Sequence, residues 1–415
     1  MVCATAALGA VPAAAEPPLL RSSFVVSAIS ASNEAHLTVA YNSSDREFLV
    51  VWENRWPGGQ IDIYAQRVSA SGGLPGPWFW VGDGWSPAVA YNGKHNDYLI
   101  TYVKPNLSAP SSEVWARRAS KTGPAGPEFL IDGLTNSAGE PALASNTHSG
   151  HDEFLVVYEV ATPTGPTTEV WAQRVSAAAA GGTGGGELIG LPLAVSSGAA
   201  DFSLAPDVAY NLARNEYLVV YQYGPLGLPG ATFTVRARRV TQDGTLLPGT
   251  IAVSGSGTFS AVSPAVAANN SADQYLVVYE YRLASGYSSI YGEVVRGDGS
   301  TGIGGQIASA IGDMSRPDVA RIGDSELYQV VWQQSAFDIN VAGAQVSSRW
   351  GTVPVTMTAF DISALLGRNE QEVAVGGGSP LALAVWRDDG LGTGGTDIVG
   401  RLLGYRAHVP LVRRP

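Results

Sequence analysis

Sulfur chemistry is missing from almost all of this 415-residue chain, whose one cysteine is Cys3. Beyond the first residues, disulfides, thiol nucleophiles and cysteine-built zinc sites are therefore excluded. Charge is sparse as well. Charged residues make up 15% of the chain, lysine is nearly absent and the formal net charge is −11. A nucleic-acid partner would need a basic footprint to displace phosphate counterions. The tail arginines Arg401, Arg406, Arg413 and Arg414 are too few to supply one. No apolar run after the first residues reaches the ~18–20 positions needed to span a bilayer. HExxH, GxSxG and P-loop signatures are also missing. GLGTGG (Gly390–Gly395) satisfies GxGxxG, but it leads into a strand rather than a helix and reads as a loop. AAAAGGTGGG (Ala177–Gly186) reads as a tether.

What is abundant is turn chemistry. Fifty glycines and 25 prolines punctuate short apolar runs in a chain that is 45% hydrophobic, which favours many strands over helices and gives ample material for a core. The opening segment, residues 1–15, reads as the remnant of a secretory signal peptide with a small-residue cleavage site after Ala15. A lipid-anchored Cys3 is the sharper alternative. The expected product is secreted or attached to the cell surface.

An internal repeat decides the fold. LTVAYNSSDREFLVVWE (Leu37–Glu53) recurs as PAVAYNGKHNDYLITYV, PALASNTHSGHDEFLVVYE, PDVAYNLARNEYLVVYQ, PAVAANNSADQYLVVYE, PDVARIGDSELYQVVWQ and QEVAVGGGSPLALAVWR. A third run such as DIYAQRVS (Asp62–Ser69) follows each, and a weaker fourth, such as FWVG (Phe79–Gly82), closes most units. Ala40, Ala90, Ala144, Ala209, Ala267, Ala320 and Ala374 pair with the aromatics Trp52, Tyr102, Tyr158, Tyr221, Tyr279, Trp332 and Trp386. Four short strands per unit at this spacing predict one all-β domain over residues 16–404. It is a single seven-bladed β-propeller with four-stranded blades, followed by a tail at 405–415.

In EFLVVWE both faces are apolar, as a strand covered on both sides requires. Alanines on the first strand suit the crowded axis, whereas Gln66, Arg67, Gln173 and Arg174 place the third strand nearer the rim. FVVS (Phe24–Ser27) matches the fourth-strand pattern and precedes the first unit, so it is expected to complete blade seven and close the ring.

The repeat wording resembles a family of exported bacterial propellers in which PxVAYN, EYLVVYE and DIYAQRVS recur in tandem. The resemblance covers roughly Ser22 to Gly404 and implies fold and export only. The ending HVPLVRRP (His408–Pro415) is similar to a short C-terminal tag on exported proteins of filamentous green bacteria.

Propeller sites form at one end of the axis, from loops entering the innermost strands and loops joining strands two and three. The second-to-third loops nominate Glu53, Arg55, Trp56, Lys104, Tyr223, Tyr281, Arg282, Arg387, Asp388 and Asp389. The entry loops nominate Glu34, His36, Asp83, Trp85, Glu140, Asp313 and Arg316. Trp56 and Trp85 stand out because flat aromatics beside polar groups are what a sugar platform needs. The ligand-binding set is therefore Trp56, Trp85, Glu53, Arg55, Lys104, Tyr281, Arg282, Arg387 and Asp388. Asp207, Asp318 and Glu372 share a repeat position two before the alanine, and converging carboxylates serve acid/base chemistry. With His36 and Arg316 they form the candidate catalytic set. The alternative for those acids is separate hydrogen-bonded carboxylates around a watery channel. His148 and His151 beside Asp152 read as a solvated hairpin insertion rather than a metal site, and His95 as solvated too. No cofactor is expected. The expected function is carbohydrate or cell-surface ligand binding, the partner being a polysaccharide, surface glycan or another protein. The alternatives are a polysaccharide lyase or glycoside hydrolase, and a structural or adhesive surface protein.

Overall fold

The computed structural model describes residues 19–404, apart from short stretches at 30–31, 133–136, 149, 163–166, 179–187, 197–200, 226–231, 256–258, 284–285, 310–311, 336–337, 348–353, 357–358, 364–367 and 391–393. Residues 1–18 and 405–415 lie outside these, so the leader and the tail do too, as does the middle of the 177–186 tether and of the 390–395 loop. The described residues form seven antiparallel sheets and contain no helix long and apolar enough to cross a membrane.

Blade one runs Asn33–Asn42, Glu47–Arg55, Ile61–Ser69 and Phe79–Asp83 from axis to rim. Each inner strand touches the inner strands on either side of it around the circle, and the last, Glu370–Gly377, touches the first, Asn33–Asn42. The ring is closed as the sequence predicts. Phe24–Ser27 pairs antiparallel with the third strand of blade seven, Asp397–Gly404, with Phe24 opposite Gly400 and Ser27 opposite Ile398. The second strands are buried on both faces; Phe48 through Trp52 are all fully covered. The core is a circle of inter-blade clusters, each joining one face of a blade to the facing side of the next.

Polar clasps reinforce these seams. At the hairpin end a buried asparagine closes the VAYN-like run, caps its own turn and, in blades one, two and four, reaches the next blade. Asn42 accepts the Ser44 and Asp45 N–H groups and donates to Asn96 at 2.9 Å; Asn92 donates to Asp152 at 2.9 Å and Asn211 to Asp273 at 3.0 Å. The third-strand polar residues are not rim decoration. Gln66 and Gln173 are buried. Arg67 forks onto Glu47 at 2.6 and 2.7 Å, and its Nη1 donates to the Lys121 carbonyl of blade two. Arg174 and Arg239 repeat this with Glu153 and Glu216 on their own sheets and the Asp243 and Asp298 carbonyls on the next.

Blade seven corrects the sequence frame by two residues. Ala374 pairs with Val385 and Gly376 with Leu383, whereas in blade six Asp318 pairs with Val331 and Ala320 with Gln329. Gly376 is therefore the counterpart of the recurring alanine. A Cβ there would sit 2.5 Å from Val39 Cγ1. The frame slipped because the hairpin of blade seven is two residues shorter, and Ala374 supplied a false match.

Candidate functional site

Each inner strand enters its sheet through a bulge, and in every blade one bulge residue is left-handed. These are His36, Ser86, Glu140, Ala205, Ser263, Arg316 and Glu372, with φ between 43° and 52°. Such a conformation costs a non-glycine residue about 1–3 kcal/mol and persists only where surroundings over-determine it. Here a second clasp does so. The residue after the buried aromatic of one blade accepts the bulge N–H of the next: Glu53 from Ser86 (3.1 Å), Glu159 from Ala205 (2.6 Å), Gln222 from Ser263 (3.3 Å) and Gln333 from Glu372 (3.5 Å).

The bulge side chains ring the axial mouth. A depression of about 240 Å³ is lined by Glu140, Ala205, Ser263 and Arg316 with their following prolines. One of about 140 Å³ adjoins it, lined by His36, Leu37, Arg316, Glu372 and Val373.

At the junction of blades seven and one the clasp changes chemistry. The position after Trp386 is Arg387, which cannot accept an N–H. Glu372 itself takes over: its Oε2 accepts the His36 N–H at 2.6 Å, while Oε1 meets Arg387 Nη1 at 3.1 Å and Arg316 Nη1 at 3.6 Å. His36 Nδ1 lies 2.9 Å from Glu53 Oε2, and Arg55 pairs with the other oxygen of Glu53. One chain of charge thus runs from Arg316 and Arg387 through Glu372, His36 and Glu53 to Arg55. The Arg316 and Arg55 side chains are 58% and 49% exposed, whereas that of Glu53 is fully buried. The hydrogen bond to Glu53 raises the His36 pKa above the usual imidazole value against the opposing effect of burial. Burial pushes the Glu53 carboxyl up, but the His36 and Arg55 bonds outweigh it and hold the pKa below its ordinary value.

The three nominated carboxylates do not converge. Glu372 belongs to the bulge ring, in register with Arg316. Asp207 and Asp318 share the position of Ala374 further along the strand. Each accepts the following N–H with Oδ1 at 2.8 Å and an inner-strand N–H of the next blade with Oδ2: Val266 at 2.7 Å and Val375 at 2.8 Å. Both are half-buried, and burial, with Asp318 adding to the effect on Asp207, raises them to about 7 for Asp207 and about 6 for Asp318. They are the hydrogen-bonded strand carboxylates of the alternative reading.

The other nominated residues scatter. Lys104 is held by Asp83 (3.0 Å) and Glu128 (2.7 Å). Asp388 is buried against Arg368, and Asp389 holds Asn369. Tyr223 donates to Asp201, and the Arg236 guanidinium lies 3.3 Å from its ring centroid. Tyr281 packs with Phe259 and Tyr291. Arg282 pairs with Glu280 and, with exposed Asp313, lines a separate depression of about 500 Å³ between blades five and six. Glu34 is buried against Ser27 of the closing strand, and burial pushes its pKa to about 8. His95 is exposed, and its Nε2 also lies 2.5 Å from Asp152 Oδ2. Among the described residues no group of three or more His, Cys, Asp or Glu side chains is placed to hold a metal. Trp85 is half-buried at the start of blade two's inner strand. Trp56 lies elsewhere, its indole N–H bonded to Asp62 at 2.8 Å.

Two residues that sequence reasoning passed over are the most exposed tryptophans here, Trp78 at 46% and Trp80 at 41%. The signal was available, since PWFW puts tryptophan where the other fourth strands carry Leu130, Ala194, Ala252, Gln306, Asp361 and Val25.

No family model and no curated sequence relative matches the chain. Among solved structures, the polysaccharide lyase Uly1 is similar with a TM-score of 0.52 and 10% identity, covering 88% of this chain and 89% of that one. The β-propeller domain of the Trilobed protease from Pyrococcus furiosus, described as having an open velcro topology, gives 0.50 and 8% over 93% and 100%. The α-L-arabinofuranosidase Arb93A from Fusarium graminearum gives 0.45 and 15% over 78% and 98%. At these identities the likeness is one of architecture; the seven paired sheets and the pairing of Phe24–Ser27 with the last strand make the chain a closed seven-bladed β-propeller.

Proposed function

We propose that this is an exported, non-catalytic binding propeller that recognises carbohydrate at the loop end of its axis, the favoured ligand being a uronate-bearing polysaccharide. The observation that carries the reading is the disposition of charge around the axial mouth. Glu372 and Glu53 are committed to internal partners, while the Arg316 and Arg55 guanidinium groups project beside a His36 biased toward its cationic form. Planar guanidinium groups bind carboxylates in two-pronged fashion, which suits an acidic sugar. The two depressions, about 240 and 140 Å³, fall below the ~300–1,000 Å³ typical of sites that engulf a small molecule. Shallow recognition of one unit in a long chain fits better than an enclosed reaction chamber. Shared fold with a lyase does not transfer activity. Export enters the proposal through the small-residue segment at residues 1–15.

Titration calorimetry with polygalacturonate and alginate, against dextran as neutral control, tests the reading. Salt-sensitive binding of the acidic polymers that is lost in the double variant Arg55→Ala, Arg316→Ala is expected. Equal binding by that variant, or no binding by the parent, overturns it. One observation favours a second reading: the 2.9 Å contact that orients the His36 imidazole is what an acid/base catalyst needs. Release of new chain ends from either acidic polymer, abolished by His36→Ala, would replace binding with cleavage.

A further inference from the structure

Blade one carries an aromatic surface that the axial site does not use. Tyr64 stacks on the buried Trp52, ring centroids 6.2 Å apart, and Trp78 meets Tyr64 edge-on at 5.0 Å. Trp80 pairs with Tyr64 across the third and fourth strands and so stands on the same face of the sheet. Its indole N–H donates to Asp62 Oδ1 at 3.2 Å, while Trp56 donates to Oδ2 of the same carboxylate at 2.8 Å. Gln60 Nε2 adds a third donor at 2.9 Å from Oδ2. Asp62 is itself buried, at 3% exposure. One sunken carboxylate therefore fixes two indole rings from different segments, a 2–3 loop and the outer strand.

Large aromatics left in water need a reason, and locked ones more so, because orienting an exposed ring in advance is useful chiefly to a ligand. We propose that Trp80, set by Asp62, and Trp78, packed edge-on against Tyr64, form a stacking platform for a neutral pyranose chain, distinct from the axial mouth. Indole faces pack against the C–H face of a sugar ring, and exposed Gln60 offers its amide to hydroxyls. The charges nearby are already matched. Asp62 is shared by three N–H donors, Lys104 is paired with Asp83 and Glu128, and Arg117 lies 5.5 Å from the Trp80 ring with its donors on the Val81 and Gly126 carbonyls. A surface whose charged groups already have their hydrogen bonds inside the protein favours a neutral polymer, in contrast to the axial mouth, where the Arg316 and Arg55 side chains are 58% and 49% exposed.

The proposal does not need the axial reading to hold. The full chain is titrated with cello-, xylo- and galacto-oligosaccharides while tryptophan emission and heat are followed. At least one series is expected to shift the emission to the blue. Trp80→Ala and Trp78→Ala should each weaken that binding about tenfold, as loss of one stacking contact implies. Asp62→Asn tests positioning: it should weaken binding while leaving the melting temperature within a few degrees. Arg55→Ala, Arg316→Ala should leave this binding unchanged, separating the two sites. The platform is refuted if no oligosaccharide shifts the emission, if Trp80→Ala binds like the parent, or if the indoles become quenchable by acrylamide only after residues 1–18 are removed, which would make the chain's own leader the occupant.

Discussion

The two ends of the axis are both stitched from blade to blade and differ in the groups that do it. At the hairpin end, buried asparagines cap their turns and reach the next blade from blades one, two and four. At the loop end, the acceptor after the aromatic is Glu53, Glu159, Gln222 or Gln333 in four seams, but Arg387 closes the ring and Val103 stands in blade two. The broken seam is where Glu372, His36, Arg316 and Arg55 gather. Regularity marks what holds the ring together; departure from it marks where selection had another purpose.

Removing residues 19–27 should unfasten both ends at once, lowering the melting temperature by on the order of 10 °C or more, since buried apolar area and a row of ladder bonds are lost. Asn42→Ala should affect the hairpin end alone, costing about 1–3 kcal/mol in denaturant titration for one buried cap and one inter-blade bond, with acidic-polymer binding unchanged. Arg316→Ala should do the reverse, weakening that binding about tenfold with little change in stability. The smallest effect concerns pH. Glu34 is raised to about 8, Glu159 and Asp207 to about 7 and Asp318 to about 6, each chiefly by burial. An acid whose folded pKa exceeds its unfolded value holds its proton more tightly when folded. Its contribution is complete below the unfolded pKa and is lost as pH rises through the folded one. The melting temperature should therefore fall from about pH 5 to about pH 9; a rise over that window would contradict the burial of these acids.

Much of the ring was readable because each blade must solve the same packing problem. An apolar second strand, small residues at the axis and an Asn-led turn recur wherever that problem recurs. Closure by Phe24–Ser27 followed from a fourth-strand pattern standing alone before the first unit. The site was less legible. Glu53 and Arg387 looked like loop groups facing ligand, yet Glu53 is a seam acceptor and Arg387, at the same position in blade seven, holds the Glu372 that replaces it. Whether a polar side chain meets water or a neighbouring backbone N–H depends on the stagger between blades, which no single repeat records. Asp207 and Glu372 appeared equivalent because a shortened hairpin shifts only blade seven. Trp80 was hidden for the opposite reason, as one apolar letter in a strand expected to be apolar.

Pairing Phe24 with Gly400 also sets an order of events in time. During synthesis the closing strand is made before the first blade, and its partner only after the first six. Until that partner appears, the early strand has no sheet to join, and the loop to be closed spans the whole ring, an entropic toll that grows only logarithmically with length. Six blades can assemble progressively; the seventh cannot. A chain cut short anywhere before Asp397 would leave Phe24 and Val26 uncovered, so arrival of the final strand serves as a completeness check before the ring locks.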